Sequence, residues 1–296
     1  MASRRGRAVV GLVIAVMAAS LSIGCRNVPM ANLTRLVEAR RLAADALVQF
    51  TKSADAGNRA VMADTDEASI AFAREAQEAT AAVSRDVDAL QAMLRDLGYS
   101  NEAGMLEEFS RRFSEYRALD KGILDLAVEN TNLKAQRLSF GAVQEAADAF
   151  RDSLEALVHT DRTEQAWHAQ ALVATAVAAV REIQVLQAPH IAESDEAAMS
   201  RLEKKAADSE ATARRALETL ASLVQPDVRP QLAPATAALD RFMGLNAQVV
   251  ALSRRNSNVR SLALSLGQKR TLTAACEDSL RQLQDALSKR GFPGTR

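Results

Sequence analysis

The chain has 296 residues, carries 37 basic and 37 acidic side chains and has a formal net charge of zero, so it presents no electrostatic footprint for nucleic acid. Apolar residues make up 48% and charged residues 25%, which excludes gross disorder and supplies enough material for two ordinary domains. Aromatics are only 4% and Ala and Leu dominate the apolar set, a mixture that favours long helices over sheets.

Residues 1–25 read as a targeting segment. Arg4, Arg5 and Arg7 precede an uncharged apolar stretch from Ala8 to Gly24, which ends at Cys25 in the string LSIGC. A Cys directly after a small residue resembles the lipobox of bacterial lipoproteins, and the resemblance implies lipidation of Cys25. Ser22 stands three residues before the Cys, where that pattern has Leu; Leu21 is one step further away. The other reading is a retained membrane anchor, since the stretch is at the short edge of what spans a bilayer. Either way the remainder is expected in the cell envelope, membrane-anchored and outside the cytoplasm, in the periplasm or at the cell surface. With Cys25 lipidated, Cys276 has no intrachain disulfide partner.

From 26 onward apolar residues recur at three-four spacing. Leu33, Leu36, Val37, Ala44, Leu47 and Phe50 open the series, followed by Val83, Val87, Leu90, Leu94 and Leu97. Leu106, Phe109, Phe113, Tyr116, Leu119, Ile123 and Leu126 form a third stripe, and Val143, Ala147, Phe150, Leu154 and Leu157 a fourth. The second half repeats the behaviour, from Val173, Val177, Val180 and Ile183 to Leu272, Cys276, Leu280, Leu283 and Leu287. Breaks are expected at Asp55–Asn58 with Asp64–Asp66, at Gly98–Asn101, at Pro189–His190, and at Gln225–Asp227 with Pro230. Gly98 suits a helix C-cap.

A repeat organises the chain. Residues 126–141 align without gaps to 252–267 with six identities in sixteen positions, Tyr116 falls on Phe242, and Cys276 falls on Phe150. Upstream, a slightly larger offset places Val87 on Leu217 and Leu90 on Leu220. The expected fold is therefore all-α: two tandem antiparallel four-helix bundles at 26–160 and 161–290, after the signal or anchor segment and before a flexible tail at 291–296. Ala142 to Ala188 holds no Gly or Pro, which favours one continuous helix joining the bundles end to end; Asp161–Glu164 resembles a capping box, which favours a new helix and side-by-side packing.

The segment from Ile123 to Leu157 is similar to the last two helices of the four-helix-bundle sensor domain of methyl-accepting chemotaxis proteins: an apolar helix, the short polar break Glu129–Asn132, then a small-residue helix. The second copy has the same layout around Asn256–Asn258. The resemblance implies an extracytoplasmic domain that binds a small ligand or a protein and performs no reaction. It also implies a missing signalling module, because no second apolar span or HAMP relay follows, so a transmembrane signalling or envelope protein is the expected partner, with a homodimer as a further possibility.

Candidate sites are sparse. Asn130, Asn132, Asn256 and Asn258 recur, and helix-end capping is the favoured reading over ligand binding. His159, His168 and His190 are the only histidines and read as solvent-facing or boundary residues; no metal pattern or cofactor motif forms around them. Trp167 is expected to pack where the bundles meet. Asp64, Asp66 and Glu67 read as a solvated charge cluster at a helix start. Arg74, Arg85, Arg112 and Arg241 suit a carboxylate but are not separable from solvated arginines. No catalytic constellation is found, and the ligand-binding residues are not identified. Two functions remain open: a sensory or ligand- or partner-binding envelope lipoprotein, and a structural or scaffolding one with no small-molecule ligand.

Overall fold

Long apolar stripes with few Gly and Pro leave the helices little reason to stop, and those of the computed structural model run up to 36 residues. It describes residues 27–160, 166–225 and 229–290; the signal segment with Cys25, the capping box at 161–164, Pro226–Asp227 and the tail at 291–296 lie outside the described residues. In chain order the helices are α1 (Asn27–Met62), α2 (Asp66–Leu97), α3 (Ser100–Glu129), α4 (Thr131–Leu138) and α5 (Gln144–Thr160). They continue with α6 (Ala166–Ala192), α7 (Glu196–Leu223), α8 (Leu232–Arg255), α9 (Ser257–Leu264) and α10 (Arg270–Lys289). No strand occurs among the described residues, so the fold is all-α.

Gly98 ends α2 as expected. Its φ of 68° is open to glycine, and the bonds Tyr99 N to Leu94 O (3.0 Å) and Gly98 N to Arg95 O (3.0 Å) close a Schellman cap. Other breaks follow the sequence only in part. Asp55–Asn58 lies inside α1, while the first turn, at residues 63–65, falls at the expected Asp64–Asp66, with Thr65 Oγ1 accepting from Ala68 N at 3.1 Å. Pro189 and His190 lie inside the last turn of α6, which runs on to Ala192. Ala142–Ala188 is not one rod. Helices α5 and α6 pack antiparallel, as the bonds Arg181 to Asp148 (2.8 Å) and Gln184 to Gln144 (2.9 Å) show.

The chain forms two compact units that interleave in sequence. The first takes the chain up to Arg59, Ala71–Lys121 and everything from Leu266; the second takes Ala60–Ile70 and Gly122–Ser265. These units do not follow the expected division at 160/161: the closing helix of each comes from the other repeat. In the first unit Cys276, Leu280, Leu283 and Leu287 of α10 pack with Phe50, Leu90, Phe109 and Tyr116. In the second, Phe150, Leu154 and Leu157 of α5 pack with Val173, Leu217 and Phe242. Cys276 is buried, and burial pushes its thiol up to about 12, so it is a packed core atom and not a nucleophile.

The reason lies at the two breaks. Asn130 and Asn256 each adopt left-handed backbone (φ 49° and 54°), a conformation Asn tolerates better than most residues. Just past them the copies meet inside the second unit in reciprocal bonds. Thr131 N donates to Ser257 Oγ and Ser257 N to Thr131 Oγ1, both at 3.0 Å. Asn132 N donates to Asn258 Oδ1 (3.1 Å) and Asn258 N to Asn132 Oδ1 (3.2 Å). Asn132 Nδ2 reaches Asn256 Oδ1 (2.9 Å) while Asn258 Nδ2 reaches Asn130 Oδ1 (2.9 Å). The partners of the four backbone N–H bonds are 126 positions apart, the period of the repeat. The helix-start N–H groups, which lack intrahelical acceptors, are thus satisfied by the other copy. The asparagines do not cap their own helices; Asn130 and Asn256 make no side-chain cap bond.

Asn132→Ala removes the acceptor for Asn258 N and the donor to Asn256 Oδ1 and Ile191 O in a buried setting. It is expected to cost roughly 2–4 kcal/mol in urea unfolding, and Asn132→Asp, which sets a carboxylate oxygen against the Ile191 carbonyl and Asn256 Oδ1, should lose at least as much.

Candidate functional site: polar groups buried in the two units

Each unit holds a polar layer inside its apolar core, at matching positions of the repeat. In the first unit Lys269 is 1% exposed and its Nζ stands 2.7 Å from Asp120 Oδ1. The contact is a buried ion pair. The ammonium also faces the Tyr116 ring, 5.9 Å from its centroid. Gly57 makes room: a Cβ there would fall on Lys269 Nζ and lie 3.2 Å from Asp120 Oδ1. This explains a glycine in mid-helix, where it costs about 1 kcal/mol against Ala. Burial pushes the Asp120 carboxyl above its usual range and outweighs the pull of Lys269 downward. Burial likewise raises the Tyr116 phenol, whose oxygen lies 3.5 Å from Ser53 Oγ.

In the second unit the same positions read differently. Asn246 replaces Asp120, Val143 replaces Lys269 and Gln187 replaces Gly57. Gln187 Nε2 donates to Asn246 Oδ1 at 2.7 Å and Ser139 Oγ donates to Gln187 Oε1 at 2.6 Å, so neutral amides fill the layer that charges fill in the first unit.

One helical turn further along α6 sits a second group. His190 is 4% exposed, a correction to its reading as a surface or boundary residue. Its Nδ1 lies 2.7 Å from Ser253 Oγ and its Nε2 2.8 Å from Glu203 Oε1. Ser253 Oγ donates to the His190 carbonyl at 2.7 Å. Arg254 grips the same carboxylate through Nε (2.6 Å) and Nη2 (2.9 Å). Arg254 foremost, with His190, holds the Glu203 carboxyl below its usual range, against the opposing effect of burial. The Ser–His–Glu order resembles a hydrolytic triad, but Ser253 is wholly buried and its proton is committed to a backbone carbonyl. Beside the ring lies a gap of about 20 Å³ lined by Leu186, His190, Leu202, Glu203, Asn246 and Val249. That is room for a water molecule, not for a metabolite.

Other sequence candidates separate. Arg74, Arg85 and Arg241 are exposed, and Arg112 bonds Glu108 (2.7 Å) and the Ala275 carbonyl (3.3 Å). Asp66 pairs with Arg137 at 3.2 Å. Trp167 is 70% exposed and stacks on His168, so it is not buried at a junction. No group of metal-ligating side chains occurs among the described residues. Sequence reading missed Lys269, Asp120, Glu203 and Ser253 because each falls on or beside an apolar stripe and has no local partner in sequence.

No protein-family model matches the chain, and no curated protein matches it.

Lys269→Met leaves Asp120 buried without its counter-charge and is expected to lower stability by about 3–5 kcal/mol, while Asp120→Asn with Lys269→Met should restore most of it. Chemical denaturation of the two variants side by side measures the difference.

Proposed function

We propose that this protein is a non-catalytic, helical partner-binding component of the cell envelope, tethered through its N-terminal segment, that docks another protein on the outward face of α6. The observation that carries this reading is the contrast between interior and surface. Among the described residues the cores are packed with apolar side chains, and the interior gap beside His190 is of water size. Helix α6, by contrast, is apolar on both faces, with a mean hydropathy of 1.3 over its most apolar 18 residues. Its inner face, Ala169, Val173, Ala176, Val180 and Ile183, is core. Its outer face exposes Trp167, Ala171, Ala174, Ala178 and Val185 (73% exposed), interrupted by Glu182. Apolar helix faces left open to water in this way are a mark of protein interaction surfaces, and an exposed Trp is a frequent anchor in them.

The likeness of the polar breaks to those of chemotaxis sensor bundles agrees with a role in signalling through a transmembrane partner. A structural or scaffolding role through the same face is the second reading, favoured by the packed cores. In either, acylation of Cys25 or retention of the apolar segment supplies the tether.

Trp167 is the single tryptophan of the chain, so its fluorescence reports this face directly. A photo-crosslinker at Ala171 or Ala178 in membrane-tethered full-length protein is expected to capture a defined partner band. Val185→Glu should weaken that capture about tenfold, roughly 1.4 kcal/mol, with an unchanged melting temperature. Equal yields from positions on the exposed face of α2, such as Arg74, would count against the proposal. Capture of a second copy, matched by self-association in sedimentation, would favour the scaffolding reading.

A further inference from the structure

We infer that His190, Glu203, Ser253 and Arg254 form a proton-operated latch that holds α6, α7 and α8 of the second unit together only while the imidazole carries both of its protons. The hydrogen-bond inventory leads there. Ser253 Oγ has one proton and places it on the His190 carbonyl at 2.7 Å, so the 2.7 Å contact with Nδ1 needs a proton on Nδ1. Glu203 is ionised next to Arg254 and only accepts, so the 2.8 Å contact with Nε2 needs a proton on Nε2. A neutral ring fails either way. With Nδ1 bare, Ser253 must turn to it and abandon the carbonyl. With Nε2 bare, a lone pair faces a carboxylate.

The repeat supplies an independent argument that the latch is an addition to the fold. The offsets that pair the copies set His190 on Ala60, Glu203 on Ala73, Ser253 on Ala127 and Arg254 on Val128. All four equivalents are apolar, and there Ser69 Oγ stands 3.0 Å from the carbonyls of both Ala60 and Ala127, between which its one proton is shared. The first repeat thus completes the same turn without a titratable group. The latch also abuts the crossing of the copies: the carbonyl of Ile191 accepts from Asn132 Nδ2 at 2.6 Å and that of Glu193 from Asn256 Nδ2 at 2.8 Å.

The charged groups facing the ring among the described residues are Glu203 from α7 and, through it, Arg254 from α8; α4 contributes only the Asn132 amide to the neighbouring carbonyl. Glu203, the ring's carboxylate partner, is itself part-exposed, so the pair is not sealed from solvent. The sign follows. The latch is closed at mildly acidic pH, opens as pH rises and the imidazole gives up a proton, and fails again in strong acid, when Glu203 takes one up.

The test uses full-length protein and hydrogen exchange at amides 186–188 and 190–192, corrected for the intrinsic pH dependence, with imidazole NMR across about pH 5–8. Protection is expected to fall as pH rises and the ring gives up its proton, by at most about tenfold for each pH unit, and to level off once the ring is neutral. The variant His190→Ala, Glu203→Ala, Ser253→Ala, Arg254→Val, which places the first repeat's residues at these four positions but keeps Met199 where that repeat has Ser69, should show no such dependence. His190→Gln alone, which keeps the other three groups but has no imidazole, should lose the slope as well. A ring that is neutral at pH 5.5, or protection in the natural protein as flat with pH as in the fourfold variant, would overturn the latch. No partner is needed, so the result is separate from the docking experiment.

Discussion

The crossing of the two polar breaks governs the rest of the structure. Two helix starts, each led by a left-handed Asn, are buried together. Buried N–H groups must find acceptors or cost a few kcal/mol together. Thr131 and Ser257, with Asn132 and Asn258, provide those acceptors only if both copies arrive at once and in register. A single left-handed residue is also too short a link for a helical hairpin, which takes two to five residues. Chains α3–α4 and α8–α9 therefore pass on instead of folding back, and each repeat hands its last helix to the other unit.

That exchange explains why the duplicated positions diverged. A residue of α10 answers to the residues of α1 and α3, not to those of its own repeat. Lys269, directly before α10, is acceptable because Asp120 and Gly57 receive it; its equivalent is the apolar Val143, and in that unit Gln187 and Asn246 satisfy one another and Ser139. Burying one charge without the other would be strongly unfavourable. The ion pair and the gap at Gly57 are thus a matched set, which favours α10 over α5 as the closing helix of the first unit.

Much of this was legible in the sequence. Stripes such as Leu106–Phe109–Phe113–Tyr116 fix helices and their inner faces, and Gly98 marks a helix end because its backbone requires it. The copies were visible through Asn130 and Asn256. The exchange of helices was not, since the apolar stripe of α10 fits either core equally well. Gly57 misled because a glycine chosen for a neighbour's side chain looks the same as one chosen for a turn. His190 misled because its partners, Glu203 and Ser253, are 13 and 63 residues away. The exposure of Trp167 was beyond sequence, which shows that α6 is apolar all round but not which face remains uncovered.

The two cores differ in substance. The first unit interlocks rings: Phe50 meets Tyr116 at 4.9 Å, and Phe109 stacks on Phe113 at 5.4 Å. The second is built largely of small side chains, among them Ala169, Ala176, Ala179, Ala213 and Ala216. Small residues let helices approach closely but remove less apolar area from water per residue, at about 25 cal/mol for each Å². Aromatic pairs add about 0.5–1.5 kcal/mol beyond their area. The second unit should accordingly be the first to open. It is also the unit that carries the latch, the crossing and the uncovered face of α6. Opening there needs little energy, so a few kcal/mol from one imidazole or one docked partner is enough to shift its population. The aromatic core of the first unit, closed by α10, offers no comparable point of control.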